Sequence, residues 1–262
     1  MVYDVYILKF YFLCPFEAQR VKYQLTLNYN GSRYHGWQIQ ENAHSVQAEI
    51  EKVLCMLTGE KIGIVGCGRT DTGVHARYYV AHFETEVQFK SNILYTLNAI
   101  LPEDISILDL KKVHDDFHAR FSAISREYQY FIHFQKNPFL TGKSWYVNKQ
   151  LNIQKMNNAC DILYEYSDFA SFCKVGADNK TTLCKILFAS WQMRDDQLVF
   201  TIRADRFLRN MVRAIVGTMM EIGQEQMSLD EFRVVIESQN RQNSGASVPA
   251  HGLYLTGVTY EH

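Results

Sequence analysis

Regular alternation of apolar and polar side chains is the feature that most limits the fold of this chain. In the segment KYQLTLNY, apolar side chains such as Leu25 and Leu27 are separated by polar ones, the period of a strand with one buried face. Residues 126–134 repeat the pattern, with Tyr128 and Tyr130 on one face. Strands with one apolar and one polar face are typical of antiparallel sheets, so these segments predict such a sheet.

Helical periods separate the strand-like segments. Ser45 can cap a helix that Gly59 ends. The apolar stripe of this helix includes Val46, Ile50 and Val53. Further helices are predicted at residues 91–100, 153–163, 207–222 and 229–237. Further strands are predicted at residues 62–65, 78–83, 105–113, 186–193, 198–203 and 253–260.

The order of these segments predicts an α+β protein, because strands and helices do not follow a regular βαβ alternation. The 262 residues, 47% of them hydrophobic, can bury one large core or two modest ones. No Pro/Gly/Ser-rich linker divides the chain. We therefore predict an N-terminal extension at residues 1–20, followed by two closely packed halves at residues 21–120 and 121–262.

Composition limits the possible partners and metals. The net charge is −1, so the chain is not a polycation, although acidic surface elsewhere can balance a basic cleft. The six cysteines form no CxxC pair, and His75 and His82 are seven residues apart, which is not a common metal-ligand spacing. The apolar run at residues 5–16 contains Lys9 and is too short to span a membrane. We expect a soluble, cytoplasmic protein that binds no metal.

The loop GCGRTDTGVHA, at residues 66–76, is the densest functional signal. Its glycines at 66, 68 and 73 permit positive φ angles and a close approach of the backbone to a ligand. The spacing is not GxGxxG and no GK[ST] follows, so neither a dinucleotide site nor a P-loop is predicted. From the residues alone, a functional loop and a plain glycine-rich turn with an exposed ion pair are equally good interpretations.

The motif GRTDTGVHA resembles the catalytic motif of the tRNA pseudouridine synthase A family. Other segments resemble the same family in the same order, so the resemblance runs from about residue 22 to residue 260. They are YNGSRYHGWQIQ (29–40), SVQ (45–47), NAILPEDI (98–105), FHARFSAISREYQY (117–130), DFASF (168–172), NMVRAIVGT (210–218) and residues 252–260. One departure is Cys173, which follows DFASF where an arginine is common in the family.

This resemblance implies a fold and an activity. The implied fold is the pseudouridine synthase fold, with two ferredoxin-like α+β halves that share an extended, mostly antiparallel sheet and form a central basic cleft. The implied activity is isomerisation of uridine to pseudouridine in tRNA, in the anticodon stem-loop at tRNA positions 38, 39 and 40. The family needs no cofactor and works as a homodimer, so both properties are expected for this chain.

The resemblance also implies that Asp71 is the catalytic carboxylate. Breaking the N-glycosidic bond of uridine creates positive character at C1′ of the sugar, which a carboxylate can stabilise or trap. An ionised carboxylate in a pocket that excludes water needs a nearby cation. We expect Arg213, the arginine of the NMVR match, to be that cation; contact with a phosphate alone is the alternative.

Three more residues are assigned to substrate binding by the resemblance. Tyr128 is expected to stack on the target base, and Leu253 to form a wall of the pocket. The target uridine must leave its base stack before it reacts, and the Arg69 guanidinium can occupy the vacated space. Ordinary core packing remains the alternative for Tyr128 and Leu253, and a purely structural role for Arg69.

A basic field is predicted on the helix at residues 207–222. In a helical projection Arg206, Arg209 and Arg213 share one face, opposite an apolar face. We expect these arginines to contact the RNA backbone, although a solvated charged face is the usual alternative. Residues that could extend the field toward the cleft are Arg203, Lys111, Lys112, His114, His118 and Arg120.

Two functions compete with a synthase. One is a non-catalytic tRNA-binding or chaperone module on the same fold, against which the intact motif around Asp71 counts. The other is a phosphate-ester hydrolase that uses Asp71 and histidines, which would depend on a metal.

Overall fold

The computed structural model of this chain describes residues 20–177 and 180–261. The predicted extension at residues 1–20 therefore lies outside the described residues, except for Arg20. The strands are β1 (Val21–Tyr29), β2 (Val65–Gly66), β3 (His75–Thr85), β4 (Ile105–Lys112), β5 (Ala123–His133), β6 (Trp145–Tyr146), β7 (Ile186–Arg194), β8 (Gln197–Ala204) and β9 (Leu253–Tyr260). The helices are α1 (Val46–Thr58), α2 (Ile93–Ile100), α3 (Ile153–Leu163), α4 (Met211–Gly223) and α5 (Leu229–Glu237).

The strands form one sheet in the order β4-β1-β3-β9-β5-β8-β7, with β2 paired to β3 and β6 paired to β5. The pairs are antiparallel except β3 with β9 and β5 with β6. The last strand of the chain, β9, thus lies between β3 and β5 and joins the two sides of the sheet. The predicted α+β class and the extended, mostly antiparallel sheet are confirmed.

Two hydrophobic cores lie on the two sides of this central strand. The first packs α1 against β1 and β3, and the second packs α3, α4 and α5 against β5, β7 and β8. Strand β9 contributes Leu253 to the second core and Leu255 to the first. The exact division at residue 120, and the ferredoxin-like character of each half, remain predictions.

Local sequence accounts for several element boundaries. The Ser45 hydroxyl accepts a hydrogen bond from the Ala48 amide at 3.3 Å, and Gly59 ends α1 in the left-handed conformation. Helices α3 and α5 and strand β9 have the predicted bounds. Helix α5 begins with a capping box formed by Ser228 and Glu231.

Helix α4 begins at Met211, and the predicted start at residue 207 is wrong. Asn210 has a φ of 68°, which a right-handed helix cannot include, and its side-chain amide lies 2.6 Å from the Ser247 hydroxyl. Arg206 and Arg209 therefore precede the helix. The helical face predicted for these two arginines with Arg213 does not exist, because the helix begins about one turn later than the periodicity indicated, after the left-handed Asn210 that contacts Ser247.

Strand β3 begins at His75, three residues earlier than predicted, so the motif GVHA runs into the sheet. The imidazole of His75 is buried; its Nδ1 accepts from the Gly31 amide at 3.0 Å, and its Nε2 lies 3.1 Å from the His251 carbonyl oxygen. Burial lowers the pKa of His75 to about 4. Both ring nitrogens therefore make contacts that connect His75 to two other segments, one at Gly31 and one at His251.

The glycines of the loop serve different purposes. Gly73 has a φ of +77°, as the sequence allowed. Gly66 has an ordinary φ, but a Cβ there would lie 2.1 Å from the Tyr79 hydroxyl oxygen, so the position is packed against protein. Gly68 has neither a positive φ nor a close neighbour. The predicted positive φ is thus confirmed at Gly73 alone.

Candidate active site

The backbone of the loop that carries Asp71 is held from the first core. The Tyr79 hydroxyl donates to the Gly68 carbonyl at 2.5 Å, and the hydroxyls of Tyr29 and Thr70 are 2.8 Å apart. All of these tyrosine rings are buried, so the groups that hold the loop cannot move independently of the core. Within the described residues, the Asp71 carboxylate makes no hydrogen bond to its own loop, and its ion pairs are with residues of other segments.

Two arginines from the other half flank this carboxylate. Arg209 Nε lies 3.7 Å from one Asp71 oxygen, and Arg213 Nη1 lies 3.6 Å from the other. The Asp71 side chain is 28% exposed, Arg213 is 20% exposed and Arg209 is 56% exposed. Arg213 is fixed further by its Nε, which donates to the Val248 carbonyl at 2.8 Å. The structure thus brings Asp71 together with Arg209 and Arg213, which lie more than a hundred residues further along the sequence.

Tyr128 lies on β5 where the two cores meet, and it packs against both. Its half-buried ring contacts Phe207 edge to face, with ring centroids 5.2 Å apart at 89°. Burial raises the pKa of Tyr128, and the charge of Asp71 adds to the effect. In the described part of the chain its hydroxyl makes no hydrogen bond. An aromatic face and a phenolic hydroxyl therefore stand close to Asp71.

Leu253 opens β9 and pairs with Tyr130 on β5. It is only 6% exposed and belongs to the second core. Its place beside the strand that bears Tyr128 is compatible with a pocket wall, but its contacts are those of a core residue.

Arg69 and Arg206 differ in their surroundings. Arg69 is exposed, and across residues 20–177 and 180–261 its side chain makes no hydrogen bond or ion pair. Arg206 is half-buried, and its backbone amide donates to the Asp205 carboxylate at 2.7 Å. Neither forms an ion pair with Asp71 within the described residues, so the structure does not bring them into the Asp71–arginine cluster.

Arg203 does not extend the basic field toward the cleft, so that expectation was wrong. It pairs in register with Glu127, and their charged groups lie 3.9 Å apart. Since neighbouring residues of a strand face opposite sides of the sheet, Glu127 and Arg203 lie on the face opposite Tyr128.

Arg126 is a residue of this region that sequence reasoning missed. Its guanidinium donates to four carbonyl oxygens, at 2.8 Å to Ala123, 2.9 Å to Asp205, 3.1 Å to Cys67, and also to Arg120. It therefore ties the loop of Asp71 to the segment that carries Arg206 and Arg209. Arg126 stands within the SREYQY match, but no periodicity signals such a role.

The segment at residues 244–252 was also missed as part of the site. Its carbonyls at Val248 and Pro249 accept hydrogen bonds from Arg213 and Tyr130, the latter at 2.8 Å. Arg241 donates to the hydroxyls of Ser244 and Ser247, each at 2.8 Å. The only available sequence signal was its position directly before the matched residues 252–260.

In the described residues, no group of three His, Cys, Asp or Glu side chains is placed to hold a metal ion. Over the same ranges, no helix has the length and apolar character needed to cross a bilayer.

Relatives of this chain are similar to it over most of its length. The tRNA pseudouridine synthase A of Azobacteroides pseudotrichonymphae is 47% identical over 240 residues, which cover 91% of this chain and 96% of the relative. The proteins of the same name from Parabacteroides distasonis and Bacteroides fragilis are each 46% identical, with the same coverage of 91% and 96%. The chain belongs to the tRNA pseudouridine synthase A family.

A model of the family described as tRNA pseudouridine synthase matches residues 166–261 of this tRNA pseudouridine synthase A family member. That range includes Arg209, Arg213 and Leu253, whereas Asp71 and Tyr128 lie outside it. The full-length relatives therefore carry the assignment for both halves, and the resemblance noted in the sequence motifs is confirmed.

Proposed function

We propose that this chain isomerises uridine to pseudouridine in tRNA, in the anticodon stem-loop, and that Asp71 starts the reaction. Membership of the tRNA pseudouridine synthase A family supports the reaction class. The observation that carries the assignment of Asp71 is its position between Arg209 and Arg213, each less than 4 Å away. The two guanidinium groups attract the carboxylate at both of its oxygens, so a group that can act on an electron-poor carbon is held between them.

The chemistry needs no external oxidant or reductant. The N1–C1′ bond of uridine breaks and its electron pair leaves with the uracil, while Asp71 stabilises or traps the positive character at C1′. The uracil then turns, and its C5 forms the new bond to C1′; where Asp71 has trapped C1′ as an ester, that C–O bond breaks and the carboxylate is regenerated. The proton on C5 is lost and N1 is protonated, so the product is an isomer of the substrate. No cofactor is therefore expected.

The remaining residues are proposed to bind the RNA. Tyr128 offers a face on which the extruded uracil can stack, and Leu253 closes the pocket beside it. Arg69 is exposed and pairs with no residue in the described ranges, as expected of a side chain that fills the space left by the uridine. Arg206 and Arg209 lie in the segment before α4 and are proposed to contact backbone phosphates.

Tritium release from tRNA transcripts labelled at uracil C5 tests this proposal. We expect the wild type to release tritium with or without a chelator, and Asp71→Asn to release none while it still binds tRNA. Binding without release by the wild type would instead identify a non-catalytic tRNA-binding module. Release that a chelator abolishes would contradict cofactor-free isomerisation. Transcripts with a single uridine in the anticodon arm identify the positions that are modified.

Metal-dependent hydrolysis of a phosphate ester is the weaker alternative. The histidine of the motif, His75, has both ring nitrogens occupied by main-chain groups, so it is not placed to act as a base beside Asp71.

We also propose that the protein works as a homodimer in the cytoplasm, where its tRNA substrate is found. This rests on the family resemblance. Light scattering on a sizing column is expected to give twice the mass of the chain, and a monomer at working concentrations would contradict the dimer. Recovery of the protein only with membranes would contradict the location.

A further inference from the structure

An exposed aromatic ring lies in the turn between β4 and β5, and none of the roles above uses it. Phe121 is 76% exposed, although it stands within the tightly packed segment FHARFS. Burial of an aromatic ring is a large source of stability, and this ring contributes little of it to the fold. The exposed ring of Phe121 is therefore available to contact a binding partner.

The turn holds this ring in one place. The Nδ1 atom of His118 accepts hydrogen bonds from the amides of Arg120 and Phe121, both at 3.2 Å. His118 and Ser122 are joined by two more, at 2.9 and 3.0 Å. The His118 ring packs on Phe121 with centroids 4.3 Å apart, and burial lowers the pKa of His118, which keeps Nδ1 an acceptor. A side chain ordered in advance loses little entropy when it binds a partner.

Arg126 places this turn beside the loop of Asp71. One nitrogen of its guanidinium, Nη2, donates to both the Cys67 carbonyl and the Arg120 carbonyl. Two oxygens bonded to one nitrogen lie within about 6 Å of each other. Phe121 therefore follows directly after a residue whose carbonyl oxygen lies within about 6 Å of the Cys67 carbonyl oxygen, in the loop that carries Asp71.

The surroundings of Phe121 are suited to nucleic acid. The Arg120 guanidinium lies 5.6 Å from the centre of the Phe121 ring. Ser122, the residue after Phe121, lines an open groove of about 360 Å³ whose lining also includes Lys111, Lys112, His114 and Asp116. An aromatic face with basic side chains nearby is the combination by which proteins bind single-stranded or unstacked RNA.

We propose that Phe121 is a stacking platform for a nucleobase of the tRNA that flanks the target uridine. Extrusion of one uridine exposes the faces of its neighbours, and an ordered aromatic ring can replace the lost stack. Because every base has a π face, this contact would tolerate sequence differences between tRNAs. The inference rests on the proposed function, since it concerns the same RNA near the same site.

The test compares Phe121→Leu with Phe121→Tyr, each combined with Asp71→Asn so that bound tRNA is not converted. The leucine keeps an apolar side chain but removes the aromatic face, and the tyrosine keeps both. Phe139→Leu is the matched control, because Phe139 is 85% exposed on the turn before β6. The readouts are the Kd for tRNA and the fluorescence of a purine analogue placed on either side of the target uridine.

We expect Phe121→Leu to weaken binding about fivefold or more, the low end for loss of one base–aromatic stack, and to relieve quenching at one flanking position. The tyrosine and Phe139→Leu proteins should behave like the parent. The salt dependence of Kd should not change, because no phosphate contact is lost. Unchanged binding and quenching in Phe121→Leu would overturn the proposal, as would a shift toward monomer with unchanged RNA binding, which would identify a contact between copies.

These results are separable from the proposed function. Tritium release by the wild type tests isomerisation without reference to Phe121. If the wild type isomerises uridine and Phe121→Leu binds tRNA as tightly as its parent, only the stacking platform is lost.

Discussion

At the scale of single residues, Asp71 and its two cationic neighbours differ in how firmly they are fixed. Arg213 is mostly buried and is anchored through Nε to the Val248 carbonyl, so its position is set by the second core. Arg209 is more than half exposed. Its carbonyl accepts a hydrogen bond from the Lys174 amide, but within the described residues its side chain makes no hydrogen bond besides the ion pair with Asp71. Charge that is held in place acts on a reacting group without reorganisation, whereas an exposed charge is screened by solvent.

Arg213→Ala is therefore expected to lower the single-turnover rate on tRNA by on the order of 100-fold, and Arg209→Ala by about tenfold or less. Arg213→Lys should restore only part of the loss, because lysine keeps the charge but not the fork that reaches both Asp71 and Val248. Tritium release at saturating enzyme measures these rates. An equal loss for the two alanine variants would contradict this ranking, and thermal unfolding of each variant controls for misfolding.

At the scale of elements, the loop of Asp71 rests on the segment before α1. The Val46 and Gln47 amides at the start of α1 donate to the carbonyls of Gly36 and Trp37, and the Trp37 amide donates to the Thr70 carbonyl. Gly36 has a φ of +90°, and a Cβ there would lie 2.2 Å from the Thr70 carbonyl oxygen. The start of α1, the turn at Gly36 and the loop of Asp71 are thus packed with no space for an added side chain at Gly36.

Gly36→Ala is expected to displace Thr70 and with it Asp71, so activity per folded molecule should fall at least tenfold. Gly59→Ala is the matched control: its φ is +73°, but nothing lies within 4 Å of the added Cβ. Both variants should lose about 1–2 kcal/mol of stability from the left-handed conformation. Urea unfolding and tritium release together check this, and full activity in folded Gly36→Ala would disprove the displacement.

At the scale of the whole molecule, two buried histidines couple stability to pH. The pKa of His75 is lowered to about 4 and that of His82 also to about 4, in each case chiefly by burial, from an ordinary value of 6.5. Each accepts a backbone hydrogen bond from a distant segment, His75 from Gly31 and His82 from Ala119. Between pH 6.5 and pH 4 the unfolded chain therefore binds more protons than the folded one.

The free energy of unfolding should consequently decrease as pH falls through this window, by about 1.4 kcal/mol per pH unit for each fully buried histidine. Above pH 6.5 the two groups make no pH-dependent contribution. Urea unfolding between about pH 7 and about pH 5 measures how steeply the free energy of unfolding changes with pH. His82→Gln should remove the contribution of one histidine to that slope, whereas the contribution of the carboxylates is the same in both proteins. The same slope in both proteins would show that His82 is not held neutral.

The sequence by itself determined the elements whose ends are local. The cap at Ser45 and the glycine after it define α1, and apolar periods alone were enough to predict α3, α5 and β9 with their bounds. The motif around Asp71 indicated the family, because a run of specific residue types in one loop carries its chemistry in the order of the chain. Such signals depend on neighbours in sequence, which periodicity and capping report.

Only the tertiary structure decided how the site is assembled. It placed Arg209 and Arg213 beside Asp71 and tied the loop of Asp71 to the second half through Arg126. It also set the start of α4 after Asn210, whose side chain contacts Ser247. It also turned Arg203 to the opposite face of the sheet. These outcomes rest on contacts between segments far apart in the chain, in a sheet where β9 lies between β3 and β5. No local pattern of residues encodes contacts of that kind.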